Sequence, residues 1–430
     1  MNSNTQINQA ELQPTINIGM IGSVSNGKST IVQKITGTKT QKHSNELKKG
    51  CSIRLGYANA KIYKCSTCNP PECYQGFPSS IFEAVCRHCN NKLDFQRHVS
   101  FIDCPGHNVL LSTMLNGTCV MDTVIIVESF ANNVIPNQQT QEHLVAIELK
   151  KIPVSFSCIN KADLVKQSVA VKGMDEFNNY LLSKGINRPI IPISANKELN
   201  IDVICEYICT KIPKLELPLS GTSKMIVIRS FNVNKPNCKF NELLGGVVGG
   251  SIIRGSFAVG DDVKIIPGLI TSQNTYQPIF TKIMSINSEG ISLQTAYPSG
   301  LIGVCLDIDP GLTAGDNMIG QIILKVDPDN TDNNFGYCVF NFVTVNIDPI
   351  NDRYKQLQPN DTVRINYNGT NTIAKIKKIK ETKILFALNN LICVRKNDII
   401  TVSKPLLNRD LENACGVILG TAQVLSGKLN

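Results

Sequence analysis

One eight-residue stretch restricts what this chain can fold into more than any other. Gly22-Ser23-Val24-Ser25-Asn26-Gly27-Lys28-Ser29 fits the pattern GxxxxGK[ST] and follows at once on the apolar run TINIGMI. Glycines in such a loop let backbone N–H groups turn inward onto phosphate oxygens, the lysine bridges the outer phosphates, and the Ser/Thr hydroxyl reaches Mg²⁺. The loop functions only between a buried strand and a helix N-terminus. A strand–loop–helix unit is therefore predicted here.

The rest of the first half is consistent with that unit. Apolar, β-branched runs at 16–21, 99–103, 123–128, 152–159 and 189–193 read as buried parallel strands. Helical stretches fall between them, including QEHLVAIELKK after Thr140 and residues 200–211. Alternation of this kind predicts a doubly wound α/β domain. After Pro213 and Pro218 the texture changes to short alternating strands with Gly turns (KMIVIRSFNVN, GGVVGGSIIRG, FAVGDDVKIIPG), which predicts antiparallel β-structure, sandwich or barrel. A polar stretch, DPDNTDNNFG at 327–336, divides this part in two. The expected organisation is a disordered leader over 1–14 and three domains at 15–217, 218–328 and 329–430. With 42% hydrophobic residues in 430, wholesale disorder is excluded. No apolar run is long enough for a transmembrane helix. The polar N-terminus, MNSNTQINQAELQPT, has no secretory h-region. A reducing, cytoplasmic setting is expected, and the sixteen cysteines are read as thiols or metal ligands before disulfides.

Three further loops sit at the ends of predicted strands. Asp103-Cys104-Pro105-Gly106 follows HVSFI; its carboxylate suits a Mg²⁺-bound water and its glycine brings an N–H to a terminal phosphate. Alone, DxxG is common by chance. Asn160-Lys161-Ala162-Asp163 ends a third strand, where a carboxylate accepts from guanine N1–H and the exocyclic amine. Ser194-Ala195-Asn196 ends a fourth and suits a backbone contact to the base. Four loops in this order, at the carboxyl ends of parallel strands, point to GTP rather than ATP.

Together these motifs resemble the translational GTPases typified by elongation factor Tu. NELKKGCSIRLGYANAKIYKC, HVSFIDCPGHNVLLSTMLNG, IVIRSFNVNKP and GGVVGGSIIRG resemble, more narrowly, the gamma subunits of the eukaryotic and archaeal translation initiation factor two, over about 15–325. The resemblance implies an α/β P-loop GTPase domain followed by two antiparallel β-barrel domains. It implies a heterotrimer with alpha and beta subunits that brings methionyl initiator tRNA to the small ribosomal subunit. GTPase-activating and nucleotide-exchange factors are implied as further partners. The implied nucleotide contacts are Ser25, Asn26, Gly27, Lys28, Ser29 and Thr30, then Asp103 and Gly106, then Asn160, Lys161, Asp163, Ser194, Ala195 and Asn196. Ser29 and Ser52 would hold Mg²⁺, and His107 would orient the attacking water. Ser52 stands where the family normally has Thr, Ser23 where a His is usual, and Ser25-Asn26 where Ala-His or Asp-His is usual. Cys51 replaces an apolar-gate Ile. Binding is expected to survive these changes, and intrinsic hydrolysis to be altered. A scaffold that binds GTP with little hydrolysis, and an elongation-type factor for another aminoacyl-tRNA, stand as alternatives.

Cys65-Ser-Thr-Cys68 and Cys86-Arg-His-Cys89 form CxxC-x17-CxxC, a strong structural-zinc spacing because each pair turns two thiolates towards one tetrahedral centre. The segment between them is rich in Pro, Gly and Ser, so a metal staple accounts for its order. A zinc knuckle over 65–89 is expected, with Cys73 and His88 as spare candidates. Most other cysteines read as small core hydrophobes.

The formal net charge is +9, and it is unevenly spread: residues 361–409 hold ten Lys/Arg against three Asp/Glu. IAKIKKIK alternates apolar and basic, which suits a phosphate-contacting strand face or, equally, edge-strand lysines that block aggregation. Tyr57 matches a family tyrosine near the methionine pocket, with core packing as its alternative. The chain has no Trp, and NACGVILGTAQ stands where the family has a Trp-containing stretch.

Overall fold

The computed structural model describes the chain except for residues 1–8, 41–54, 107–110, 236, 240–241, 271–274, 327–335, 351, 405–417 and 430. The residues form two compact units. The first is Met1–Leu217 with the short segments Ser288–Ile291 and Ser299–Leu301, and the second is the remainder.

The first unit is built on β1 (Asn17–Ile21), α1 (Lys28–Thr36), β2 (Gly56–Lys64), β3 (Tyr74–Pro78), β4 (Asp94–Asp103), α2 (Leu111–Gly117), β5 (Thr123–Ser129), α3 (Gln138–Leu149), β6 (Val154–Asn160), α4 (Gln167–Ser183), β7 (Ile190–Pro192) and α5 (Ile201–Thr210). Its seven-stranded sheet runs β3-β2-β4-β1-β5-β6-β7. The five strands from β4 to β7 are parallel, while β2 and β3 are antiparallel additions at one end. All of β1 and all of β5 are buried, as strands covered on both faces must be. In the sheet β1 lies between β4 and β5, with earlier strands built out on one side and later ones on the other, so the loop after β1 opens at the point where the strand order reverses.

The leader reading of 1–14 is corrected over its second half. Gln9–Leu12 is a single helical turn, and Gln13 is buried with its Nε2 donating to the Ser299 carbonyl oxygen at 2.8 Å. A buried amide so partnered holds this segment in place.

The second unit contains two antiparallel barrels. The first comprises β8 (Lys224–Phe231), β9 (Gly246–Arg254), β11 (Asp262–Ile270), β12 (Tyr276–Ser288), β15 (Ile302–Leu306) and β16 (Ile322–Lys325), closed by β11–β12 pairing. β13 (Ile291–Leu293) extends this sheet, and β10 (Phe257–Ala258) pairs with β14 (Thr295–Ala296). The second barrel runs β17-β20-β19-β18-β21-β22, from β17 (Cys338–Pro349), β18 (Thr362–Tyr367), β19 (Thr370–Lys380), β20 (Lys383–Val394), β21 (Ile399–Ser403) and β22 (Ile418–Lys428). Closure decides between sandwich and barrel. Inward residues such as Val343, Ile376 and Phe386 fill the second barrel, and Ile266, Ile322, Tyr337 and Leu391 form a buried seam within the unit. Among the described residues, no helix is long and apolar enough to cross a membrane.

Candidate nucleotide site and cysteine cluster

The loop after β1 turns on two glycines in the left-handed region, Gly22 at φ 144° and Gly27 at φ 93°. A Cβ on Gly22 would lie 2.1 Å from the Val127 carbonyl oxygen, and one on Gly27 would lie 2.1 Å from Asn160 Nδ2. Only glycine fits either place. Gly27 caps α1, so the first free N–H groups of that helix face the loop. Lys28 is buried and curls back, its Nζ donating to the carbonyls of Gly22 and Ser23 at 2.9 and 2.8 Å. Burial pushes its amine down, against the pull of Asp103, Cys104 and Glu128.

The second loop closes on the first. A Cβ on Gly106 would lie 2.5 Å from the Val24 nitrogen and 2.8 Å from Lys28 Nζ. Asp103 is fully buried; its Oδ2 accepts from Ser29 Oγ and from Thr40 Oγ1, each at 2.6 Å. A hydroxyl and a carboxylate at that separation are the hard oxygen donors that suit Mg²⁺. Ser25 is exposed at φ 62°, and Thr30 is half-buried in the first turn of α1.

Asn160 joins the remaining loops. Its Nδ2 donates to the Asn26 carbonyl at 2.9 Å, and its Oδ1 accepts from the backbone of Lys161 at 2.8 Å and of Ala195 at 3.0 Å. One buried side chain thus ties the P-loop to both loops that the sequence assigns to the base. Lys161 is left-handed at φ 65°, Ser194 is buried with its Oγ accepting from the Lys197 nitrogen at 3.3 Å, and Asp163 and Asn196 are exposed. His107, Ser52 and Cys51 lie outside the described residues.

The residues that depart from the family pattern have local partners. Ser23 Oγ donates to Gln139 Oε1 at 2.5 Å, and the Ser23 nitrogen to Thr140 Oγ1 at 3.2 Å. Asn26 is buried, its Nδ2 donating to the Val127 carbonyl at 2.9 Å and to Glu128 Oε1 at 3.1 Å. Asn132 Nδ2 donates to Asn26 Oδ1 at 3.1 Å and also to Glu128 Oε1. The Asn26 side chain therefore faces β5, and only its backbone borders the loop. Glu128 is fully buried, and burial pushes its carboxyl up, against hydrogen bonds that include Thr140 and Asn132. His143 on α3 is buried behind the same loop; burial, then the Lys28 charge, push it down to about 3. Sequence reasoning missed Glu128, Asn132, Gln139 and His143. The available signal was an acidic residue ending an otherwise apolar strand, since a buried carboxyl needs partners.

In the knuckle, the four Sγ atoms of Cys65, Cys68, Cys86 and Cys89 lie within 4.8 Å of one another. Thr67 N–H points at Cys65 Sγ at 3.4 Å, and His88 N–H at Cys86 Sγ at 3.5 Å, as in turns that carry thiolates. Gln75 Nε2 adds a third donor, to Cys86 Sγ at 3.3 Å. Four convergent sulfurs with N–H support fit a tetrahedral Zn²⁺. Cys73 and His88 do not join this group among the described residues. Of the other cysteines, Cys104, Cys158, Cys205 and Cys393 are buried, whereas Cys338 is exposed. Tyr57 is half-buried on β2, opposite Ile102.

The Elongation factor Tu GTP binding domain family matches residues 13–214. By overall shape the chain is similar to elongation factor SelB from Methanococcus maripaludis in complex with the GTP analogue GPPNHP. The TM-score is 0.69 at 18% identity, over 97% of this chain and 80% of that one, a likeness of fold. A bacterial selenocysteine-specific elongation factor gives a TM-score of 0.68 at 21% identity, over 96% and 59% of the two chains. By sequence, the chain is 39% identical to eukaryotic translation initiation factor 2 subunit gamma of Encephalitozoon cuniculi, over 92% of this chain and 90% of the relative. It is also 39% identical to subunit 3 of the same factor from Drosophila melanogaster, over 97% and 90%. With that identity across nearly its whole length, the chain belongs to the gamma-subunit family of eukaryotic translation initiation factor 2, a GTP-binding translation initiation factor subunit and a GTPase.

Proposed function

We propose that this chain is the nucleotide-switched carrier of methionyl initiator tRNA to the small ribosomal subunit, working in the cytoplasm with alpha and beta subunits of the same factor. The observation that carries this reading is the Asn160 junction, which couples the P-loop to the loops assigned to the base. A change at the phosphates is then felt at the base end, and the reverse. Family membership favours initiation over elongation-type delivery.

In this reading the division of labour is 15–217 for the nucleotide, 218–328 and 329–430 for the β domains. Lys28 and the backbone N–H groups of 25–30 hold the phosphates, Gly106 meets the terminal one, and Asp163 reads guanine, with Lys161 and the Ser194-Ala195-Asn196 loop beside it. Ser29 and Ser52 would hold Mg²⁺, with Asp103 behind a bound water; that ion, when present, neutralises charge building on the phosphate oxygens. His107 orients the attacking water. Cys65, Cys68, Cys86 and Cys89 hold a structural Zn²⁺. An activating factor completes the slow intrinsic site, and an exchange factor reloads it.

The test measures affinity for methionyl initiator tRNA, against other charged tRNAs, with GTP and then GDP bound. Tighter and selective binding in the GTP state is expected. Equal affinity in both states overturns the switch, because a ligand biases only states it distinguishes.

A further inference from the structure

β19 has no free edge. It pairs with β18 on one side and β20 on the other inside a closed barrel. Lysines that guard an exposed edge have no such task here, because closure removes the edge. They crowd nonetheless. Ala374 and Ile376 point into the barrel, while Lys375, Lys377, Lys378 and Lys380 are all exposed. The register against β20 shifts between Ile376 and Lys378, so the extra residue, Lys377, stands out beside Lys378. Across the turn Lys380 lies directly opposite Lys383, which is also exposed. Like charges so placed destabilise a sheet, and none of the five lysines makes an ion pair with a described residue.

We propose that the outer face of the β19–β20 hairpin docks the phosphate backbone of an RNA duplex. A row of lysines about 16 Å long supplies the charge complementarity, at about 3.3 Å per strand residue. Single-stranded RNA fits less well, since base stacking needs exposed aromatics, and the one aromatic residue of these two strands, Phe386, is buried. The proposal deepens the RNA-partner part of the proposed function and rests on it for the partner's class alone.

The probe is a labelled RNA stem-loop that is not a tRNA, titrated with the full chain across a salt series. Lys→Gln at 375, 377, 378, 380 and 383 is expected to weaken binding at least about tenfold near 0.1 M salt and to lower the slope of log K against log salt by about 3–4. Lys→Arg at the same positions retains both, which separates lost charge from lost folding. A charge-matched control, Lys→Gln at 166, 172, 184, 211 and 214 on the first unit, also retains them. Unchanged stem-loop binding in the first variant overturns the proposal. So does an equal loss in the control, or tighter binding of a single strand of the same length. A wild-type chain with the lysine-dependent slope but no nucleotide-dependent tRNA selectivity supports this surface while removing the proposed function.

Discussion

At the scale of single residues, the departures in the P-loop are explained by what they touch. Asn26 faces β5 because Glu128, fully buried at the end of that strand, offers it an acceptor. Removing the partner leaves that carboxyl short of a donor, at a cost of about 1–3 kcal/mol. Asn26→Ala is therefore expected to destabilise the first unit and weaken GTP binding, as read by thermal melts and fluorescent-nucleotide titration. Asn26→Asp is expected to be worse, since it sets a second acid against Glu128. Burial raises the Glu128 carboxyl above its ordinary 4.5, so the folded chain holds that proton more tightly than the unfolded chain. Stability from this group is full below the ordinary value and drains as pH rises through the raised one. The gain in Tm of Glu128→Gln over wild type is then near zero at about pH 4 and positive at about pH 7. A pH-independent difference would show that folding does not raise the Glu128 carboxyl.

At the scale of elements, the knuckle and α3 carry the next expectations. The knuckle joins β2 to β4 through a four-cysteine cage, with β3 paired to β2 inside it, and a metal in that cage would hold the Pro- and Gly-rich turns between the cysteines. Cys68→Ser is expected to abolish stoichiometric zinc and to lower the melting of the first unit by about 5 °C or more, whereas Cys73→Ser, outside the cage, leaves the zinc content intact. Zinc retained by Cys68→Ser would refute the four-sulfur site. Strand β4 and helix α3 each bury a neutral imidazole, His98 and His143, both pushed down to about 3, chiefly by burial. The unfolded chain takes up those protons first, near the ordinary 6.5. Stability present above that pH is lost as pH falls from it towards 3, with a slope of up to about 1.4 kcal/mol per pH unit for each group. His143→Gln is expected to flatten the acid limb, as denaturant melts across that range will report.

At the scale of the whole molecule, two units with separate cores imply separate unfolding. In the proposed reading GTP binds the first unit alone, so mass action would stabilise that unit, by about 2.7 kcal/mol at a hundredfold excess over Kd. Calorimetry is expected to resolve two transitions, with GTP moving one. A single transition shifted as a whole would mean that the units fold as one.

The sequence by itself determined what is local and periodic. GSVSNGKS after a β-branched run forces a strand, a glycine turn and a helix, because backbone sterics allow little else. CxxC spacing likewise brings four sulfurs together, and the five parallel strands of the sheet overlap their apolar runs, whereas the antiparallel β2 and β3 had no such signal. Only the tertiary structure decided what depends on residues far apart in the chain. It turned Asn26 towards Glu128, a contact across about a hundred positions. It made Asn160 the hinge between three loops, and ordered residues 9–14 by giving Gln13 a distant partner. It also closed β17–β22 into a barrel, so the lysines of β19 guard no edge. The physical reason is the same in each case. Periodicity reports which face of an element is buried, whereas the partner across that face is fixed by packing and hydrogen bonding that no local pattern encodes.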